Sequence, residues 1–208
     1  NFGYIADNSL SGTVYRDDSR NGDQDGTEPG YSGVTVQLLD KDGQVIATTT
    51  TDANGNYTFT RLPMGSYKVE VVPGEAKVDG ADVNLSDYKQ TYGYGSSTKR
   101  SEAGKGKLTT PTAITLTAAA PTASKIDFGF VKPASVGDKV WMDVNRDGIQ
   151  DADEPAMPGV TVTLTRADGS AVTDASGNPV AAVTTDANGQ YKFENLLPGD
   201  YKVTFTNP

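Results

Sequence analysis

Apolar residues recur at every second position in short runs: Val34, Val36 and Leu38, then Tyr57 and Phe59, then Tyr67, Val69 and Val71, with Val160, Val162, Leu164 and Tyr201, Val203, Phe205 further on. A period of two sends successive side chains to opposite faces of a strand, so each run buries one face and wets the other. Asp42-Gly43, Asn54-Gly55, Asp168-Gly169 and Asn188-Gly189 fall between runs. These dipeptides supply the positive φ that tight hairpins require. Short strands at this spacing predict an all-β chain folded as antiparallel β-sandwich, and no segment carries a convincing helical period.

The chain also repeats. At an offset of 126 residues, Asn1-Phe2-Gly3-Tyr4 falls on Asp127-Phe128-Gly129-Phe130, Asp17 on Asp143, Gly22 on Gly148, Glu28-Pro29 on Glu154-Pro155 and Gly33-Val34-Thr35-Val36 on Gly159-Val160-Thr161-Val162. From Thr50 the offset becomes 134, because the second copy carries eight more residues around Val172 to Pro179. Such an insertion costs little in a surface hairpin. The organisation expected is a closing strand of a preceding module at 1–5, a first module at 6–131, a linker at 132–135 stiffened by Pro133, and a second module at 136–208 without its last strands. Residues 74–110 read as a long loop, Gly- and Ser-rich from Tyr92 to Gly106, ahead of closing strands at Ala113–Thr117 and Lys125–Val131.

Composition removes much chemistry. With no Cys and no His, the chain has no thiol nucleophile, disulfide, imidazole base or imidazole metal ligand, so a catalytic triad is excluded. No apolar run reaches the ~18 residues of a membrane span. The formal net charge is −9, and it is localised. Asp17 to Glu28 holds five acids and one Arg, as does Asp143 to Glu154, and outside these two segments 17 acids nearly balance 16 bases. An acidic chain without a basic cluster repels phosphate backbones, which argues against nucleic acid and for cations as partners.

Asp143-Val144-Asn145-Arg146-Asp147-Gly148-Ile149-Gln150-Asp151-Ala152-Asp153-Glu154 satisfies the calcium-loop pattern D-x-[DN]-x-[DN]-G-x5-E at every position. Asp143, Asn145 and Asp147 offer side-chain oxygens, Gly148 permits the sharp turn and Ile149 offers its carbonyl. Asp151 reaches an ion directly or through water, and Glu154 closes the shell. Six to eight hard oxygens at this spacing suit Ca²⁺ better than Mg²⁺. Flanking strands, rather than helices, set it apart from a helix-loop-helix hand. The first copy is irregular, with Asp17, Ser19, Asn21, Asp25 and Glu28 at ligand positions, Asp23 where Ile149 stands, and Asp18 and Asp23 restoring charge. A solvated acidic turn is the alternative for both. If the strands alternate direction, the turns carrying Asp52 and Asp186 share an end of the sandwich with the acidic loops, and either Asp adds an oxygen or merely bonds its own hairpin backbone.

Val136-Gly137-Asp138-Lys139-Val140-Trp141 before the loop, Pro158-Gly159-Val160-Thr161-Val162 after it, Thr184 to Phe193, and Leu197-Pro198-Gly199-Asp200-Tyr201 together resemble the B-type repeat of the serine-aspartate-repeat adhesins of Gram-positive bacteria. Single pieces, such as the Pro-Gly-x-Tyr turn, occur more widely in collagen-adhesin (Cna) B-type sandwiches. The resemblance implies immunoglobulin-like or transthyretin-like sandwiches, secreted and displayed on the cell wall, repeated as a calcium-stiffened stalk with Ca²⁺ and adjacent modules as partners. The first copy departs from it at Leu10 to Tyr15 and in its loop. A Lys to Asn isopeptide crosslink, known in related sandwiches, has no Lys in the first strand of copy one to supply the amine, while Lys139 sits in the first strand of copy two.

Trp141 and Tyr15 occupy one repeat position and read as core anchors beside the loops, or else as surface aromatics for ligand stacking. Tyr88, Tyr92 and Tyr94 read as rings packed onto the sandwich, or else as a contact surface. The resulting expectation is a non-enzymatic surface module. The alternatives are direct binding of a host or neighbouring-cell ligand through 74–110, and an accessory module of a secreted carbohydrate-active enzyme.

Overall fold

The computed structural model describes residues 8–19, 22–91, 108–109 and 113–206. The chain divides into two compact units, 1–131 and 132–208. The segment expected to be a closing strand at 1–5 lies outside the described residues, as do Asn21, Tyr92 and Tyr94.

In the first unit the strands are β1 (Asn8–Arg16), β2 (Thr35–Leu39), β3 (Val45–Thr50), β4 (Asn56–Leu62), β5 (Gly65–Val72), β6 (Glu75–Val78), β7 (Ala81–Asn84), β8 (Lys89–Gln90), β9 (Leu108–Thr109), β10 (Ile114–Leu116), β11 (Thr122–Ala123) and β12 (Phe128–Val131). One sheet places β1 between antiparallel β4 and, on its other edge, parallel β11 and β12, with β8 beyond β12. The other pairs β5 with β2 on one edge and with β9 and β10 on the other, and β3 lies outside β2. The inward faces of both sheets make one core, including Leu10, Val14, Val36, Leu38, Val69, Val71, Phe128 and Phe130. The period-two runs of the sequence are its lining.

The segment expected as a long loop from Gly74 is folded over much of its length. Asp79 (φ 51°) and Gly80 (φ 78°) turn a hairpin between β6 and β7, followed by a single 3₁₀ turn at Leu85–Asp87 capped by the Asn84 side chain on Ser86 N–H. Ala76, Val78 and Leu85 are buried in the core, and Tyr88 meets Tyr31 edge-on at 5.8 Å. Apolar residues this sparse give little periodicity, yet Asp79-Gly80 between Val78 and Val83 was a hairpin signal.

The second unit has β13 (Ala134–Lys139), β14 (Thr161–Arg166), β15 (Val183–Thr184), β16 (Gln190–Leu196) and β17 (Tyr201–Thr206). Its registers copy the first unit: Val136 faces Phe193 as Leu10 faces Phe59, and Lys139 faces Gln190 as Thr13 faces Asn56. β14 lies between β15 and β17, as β2 lies between β3 and β5. Ala134 already pairs with Leu196, so the expected linker at 132–135 contracts to Lys132 and Pro133. The inserted residues form a small hairpin whose Val172 is buried against Leu164, Phe193 and Leu196. Trp141 differs from Tyr15. Tyr15 is fully buried beside β12, and Trp141 is half-buried.

Candidate metal centre

Each acidic loop hangs between two strand ends tied at the neck. In the second unit Met142 N–H donates to Pro155 C=O (2.9 Å), Met157 N–H to Val140 C=O (2.9 Å), and Trp141 bridges Ala156. The first unit repeats this with Arg16 N–H to Pro29 C=O (2.9 Å), Tyr31 N–H to Val14 C=O (2.8 Å) and a Tyr15 to Gly30 bridge. A buried threonine then locks the chain leaving each loop. Thr51 donates to Tyr31 C=O (2.5 Å) and accepts from Val34 N–H (3.0 Å), and Thr185 does the same with Met157 C=O (2.7 Å) and Val160 N–H (3.0 Å). These threonines were missed in the sequence, although both begin the repeated Thr-Asp-Ala-Asn-Gly run.

Inside the second loop the carboxylates hold backbone N–H groups. Asp143 accepts from Arg146 (2.6 Å), Asp147 (3.2 Å) and Gly148 (3.0 Å), where Gly148 takes φ +78°. Glu154 reaches back across the loop to accept from Val144 (2.7 Å) and Asp151 (3.2 Å). Asn145 accepts from Asp147 N–H (3.0 Å) while its amide NH₂ donates to both the Asp147 (3.0 Å) and Asp151 (2.7 Å) carboxylates. Asp147 also accepts from Ile149 N–H (2.7 Å), and the Ile149 side chain is exposed. Asn145, Asp147 and Asp151 are thus brought together, with a partial positive charge between the two acids.

The first loop uses the same frame with fewer acids at its centre. Asp17 accepts from Gly22 N–H (2.8 Å) and the Ser19 hydroxyl (3.3 Å), and Glu28 accepts from Ser19 N–H (2.8 Å) and Asp25 N–H (3.0 Å). Asp23 and Asp25 are exposed, and Asn21 lies outside the described residues. Asp18 does not leave its charge to the loop as expected. It pairs with Arg16 (2.9 Å), which also reaches Asp79 (2.8 Å) in the β6–β7 turn, and the Asp18 carboxylate hydrogen bond leads in raising the Arg16 guanidinium above its ordinary value.

Asp17, Glu28 and Glu154 are 0%, 7% and 8% exposed. Burying carboxylates without donors or cations facing them is costly. Among the described residues no three acidic side chains converge as a finished cage. The donors present are all hard oxygens on a curled backbone, and this chemistry fits a Ca²⁺-type ion.

Asp52 and Asp186 sit beside the loops but serve their own turns. Asp52 accepts from Asn54 and Asn56 N–H (2.9 and 2.8 Å), Asp186 from Asn188 and Gln190 N–H (2.8 and 2.9 Å). Gly55 (φ +81°) and Gly189 (φ +74°) dock these turns on the loop stems, where Val14 and Val140 N–H donate to their carbonyls at 2.9 and 2.8 Å. A Cβ at Gly55 would stand 2.4 Å from Val14 O and one at Gly189 2.3 Å from Val140 O, so both positions require glycine.

Residues 8–130 and 134–208 each match the SdrD B-like domain, one match per unit. The chain belongs to the SdrD B-like family. Serine-aspartate repeat-containing protein D of Staphylococcus aureus (strain Newman) is 38% identical over 201 residues, covering 96% of this chain and 13% of that protein. Serine-aspartate repeat-containing protein F of Staphylococcus epidermidis (strain ATCC 12228 / FDA PCI 1200) is 39% identical over 204 residues, covering 96% and 11%. The chain therefore spans a small part of the length of these relatives. The Bacillus anthracis TIE protein aligns with 97% of this chain and 29% of its own at 16% identity and a TM-score of 0.39. A streptococcal ancillary pilin aligns with 99% and 55% at 16% identity and a TM-score of 0.35. Among the described residues no helix is long and apolar enough to cross a membrane.

Proposed function

We propose that these two B-like repeats are non-enzymatic spacer modules of a bacterial cell-surface protein, stiffened by Ca²⁺ bound in each acidic loop. The observation that carries the calcium reading is the Asn145 amide lodged between Asp147 and Asp151, a weak positive group where two carboxylates approach. Asp143, Asn145, Asp147, the Ile149 carbonyl, Asp151 and Glu154 would hold the ion in the second loop, and Asp17, Ser19, Asn21, Asp23, Asp25 and Glu28 in the first. Bound there, Ca²⁺ supplies positive charge and oxygen coordination and no reaction chemistry. Asp143 and Glu154 already fix the loop backbone, so the remaining acids need only turn inward. Glu154, held to Val144 and Asp151, transmits that order to the strand ends at the neck. Extracellular sites of this kind bind at about 10⁻⁴ to 10⁻³ M. At tenfold that concentration the added stability is about 1.4 kcal/mol per loop.

Thermal melts in millimolar CaCl₂ and in EGTA, with stoichiometry by calorimetry, test this reading. A rise of several degrees with two ions per chain supports it, and absence of both heat and shift overturns it. The direct-binding alternative draws no support from the described part of 74–110, where Ala76, Val78, Leu85 and Tyr88 pack on the core. Display of the fragment on non-adherent cells separates the two, since a spacer confers no adhesion.

A further inference from the structure

The β6–β7 hairpin touches both stems of the first acidic loop. On the exit side Ser32 and Lys77 exchange two backbone hydrogen bonds of 2.9 Å. On the entry side Arg16 Nη1 donates to the Asp79 carboxylate at the hairpin tip (2.8 Å), while its Nε donates to Asp18 of the loop (2.9 Å). Between the stems the Tyr31 ring is 0% exposed, with Tyr88 edge-on at 5.8 Å and Phe130 edge-on at 6.3 Å. Tyr88 directly follows the 3₁₀ turn that leaves the hairpin, so one continuous segment, 75–88, reaches the loop's entry, its exit and the ring between them.

Opposing forces meet in this seat. Burial of Ala76, Val78 and Leu85 in the core favours it. The Arg16 and Lys77 ion pairs are largely exposed and add little. Against it stands the Tyr31 hydroxyl, which is shielded from solvent and has no protein hydrogen-bond partner among the described residues. The charges of Arg16, Asp18 and Asp79 all act on that phenol, which places it near the ion-paired tip. A shielded donor without a partner carries a desolvation cost that contact with solvent relieves. Lifting the hairpin wets the hydroxyl, so an opening short of unfolding costs less than the buried apolar side chains alone imply.

We propose that the β6–β7 hairpin is a strap coupled to the first acidic loop: Ca²⁺ in the loop holds the strap closed, and the closed strap strengthens the ion. This coupling rests on the calcium reading above. A cation held by Asp17 and Glu28 would fix the stems that carry Arg16, Tyr31 and Ser32. The hairpin is seated on those same residues, so ordering them lowers the cost of closing it. Such coupling is reciprocal, and whatever opens the strap weakens the ion. Asp79 acts in the same direction by charge, since it offsets Arg16 at the loop entry, where an uncompensated guanidinium repels a cation.

The test is hydrogen exchange of the 208-residue chain in EGTA and in millimolar CaCl₂, read at the Lys77 and Leu85 N–H groups. These bond to the Ser32 and Gly74 carbonyls, outside the loop itself. In EGTA both should exchange faster than the amides of β2, and Ca²⁺ should slow them about fivefold or more. Calorimetry in the Asp147→Ala background then reads the first loop alone. There Lys77→Pro, which removes the donor to Ser32, should weaken the first-loop ion by up to the factor seen in exchange. Asp79→Ala should weaken it too, and its exposed position keeps the test open if Lys77→Pro does not fold. Hairpin amides that exchange no faster than those of β2 in EGTA overturn the proposal, because the strap then opens only with the whole unit. Calcium heat at the first loop without slower exchange at Lys77 and Leu85 overturns the strap and leaves the metal reading standing. Unchanged affinity in the folded variants does the same. Absence of calcium heat at the first loop overturns the metal reading there and the coupling with it.

Discussion

Glu154 accepts the backbone N–H of Val144 at 2.7 Å, ten residues back along the chain, and so clasps the acidic loop at its base. Its second oxygen takes Asp151 N–H, and the side chain is 8% exposed. Glu154→Ala leaves two part-buried N–H groups without their charged acceptor. The expected cost is roughly 1–3 kcal/mol in EGTA, confined to the second unit. Urea melts of the variant with and without Ca²⁺ check this, and Glu154→Gln, which keeps one acceptor oxygen, should fall between the two.

The loops and the neighbouring turns separate by substitution. Asp147→Ala removes a central donor from the second loop, so calorimetry should lose one ion per chain and retain the other. Asp52→Ala alters a residue that serves Asn54 and Asn56 of its own turn, so the ion count should stay unchanged while the melt falls. A lost ion in Asp52→Ala would make Asp52 a ligand after all.

These distinctions follow what a sequence carries. The strands of the core were readable because Val34, Val36, Leu38 and their repeats alternate without a break, and the second loop because six oxygen-bearing positions stand at fixed intervals. The β6–β7 hairpin was not readable, since Ala76 and Val78 give only two apolar positions before the turn. Trp141 was read as a core anchor from its match to Tyr15. What buries Tyr15 is β12, more than 110 residues away in sequence, and burial that depends on a distant partner leaves no local pattern.

Acid should remove the stability that the charged hairpin aspartates carry. The Asp52 carboxyl is slightly desolvated, which works against its charge, but the N–H groups of Asn56 and Asn54 outweigh this and hold it below the usual carboxylate range. Asp174 behaves alike, with slight burial opposed by Asn178 and Ser176 N–H. A lowered folded-state value stabilises above the unfolded carboxylate pKa, and that contribution is lost as pH falls through the folded value. Melts of the wild type and Asp52→Asn should therefore differ at neutral pH and converge in acid. A gap that persists at low pH would show that Asp52 acts through shape rather than charge.

Base should act on Tyr57. Its hydroxyl donates to Ile126 C=O at 2.5 Å beneath β4, and burial, aided by the nearby Asp127 charge, pushes the phenol well above its ordinary value. Tyr31 is raised the same way, by burial first and Tyr88 second. A raised folded-state value favours the protonated form. The stability it carries is complete below the unfolded tyrosine pKa and is lost as pH climbs from there toward the folded value. Absorbance at the phenolate band should show Tyr57 and Tyr31 ionising only as the first unit unfolds. Tyr57→Phe removes one titrating group and leaves the Ile126 carbonyl unpaired, at a cost of about 1–2 kcal/mol at neutral pH. The alkaline transition of that variant should be shallower, because less stability remains to be titrated away. A variant with an unchanged alkaline transition would place the sensitivity in Tyr31 and Tyr67, which burial raises in the same direction.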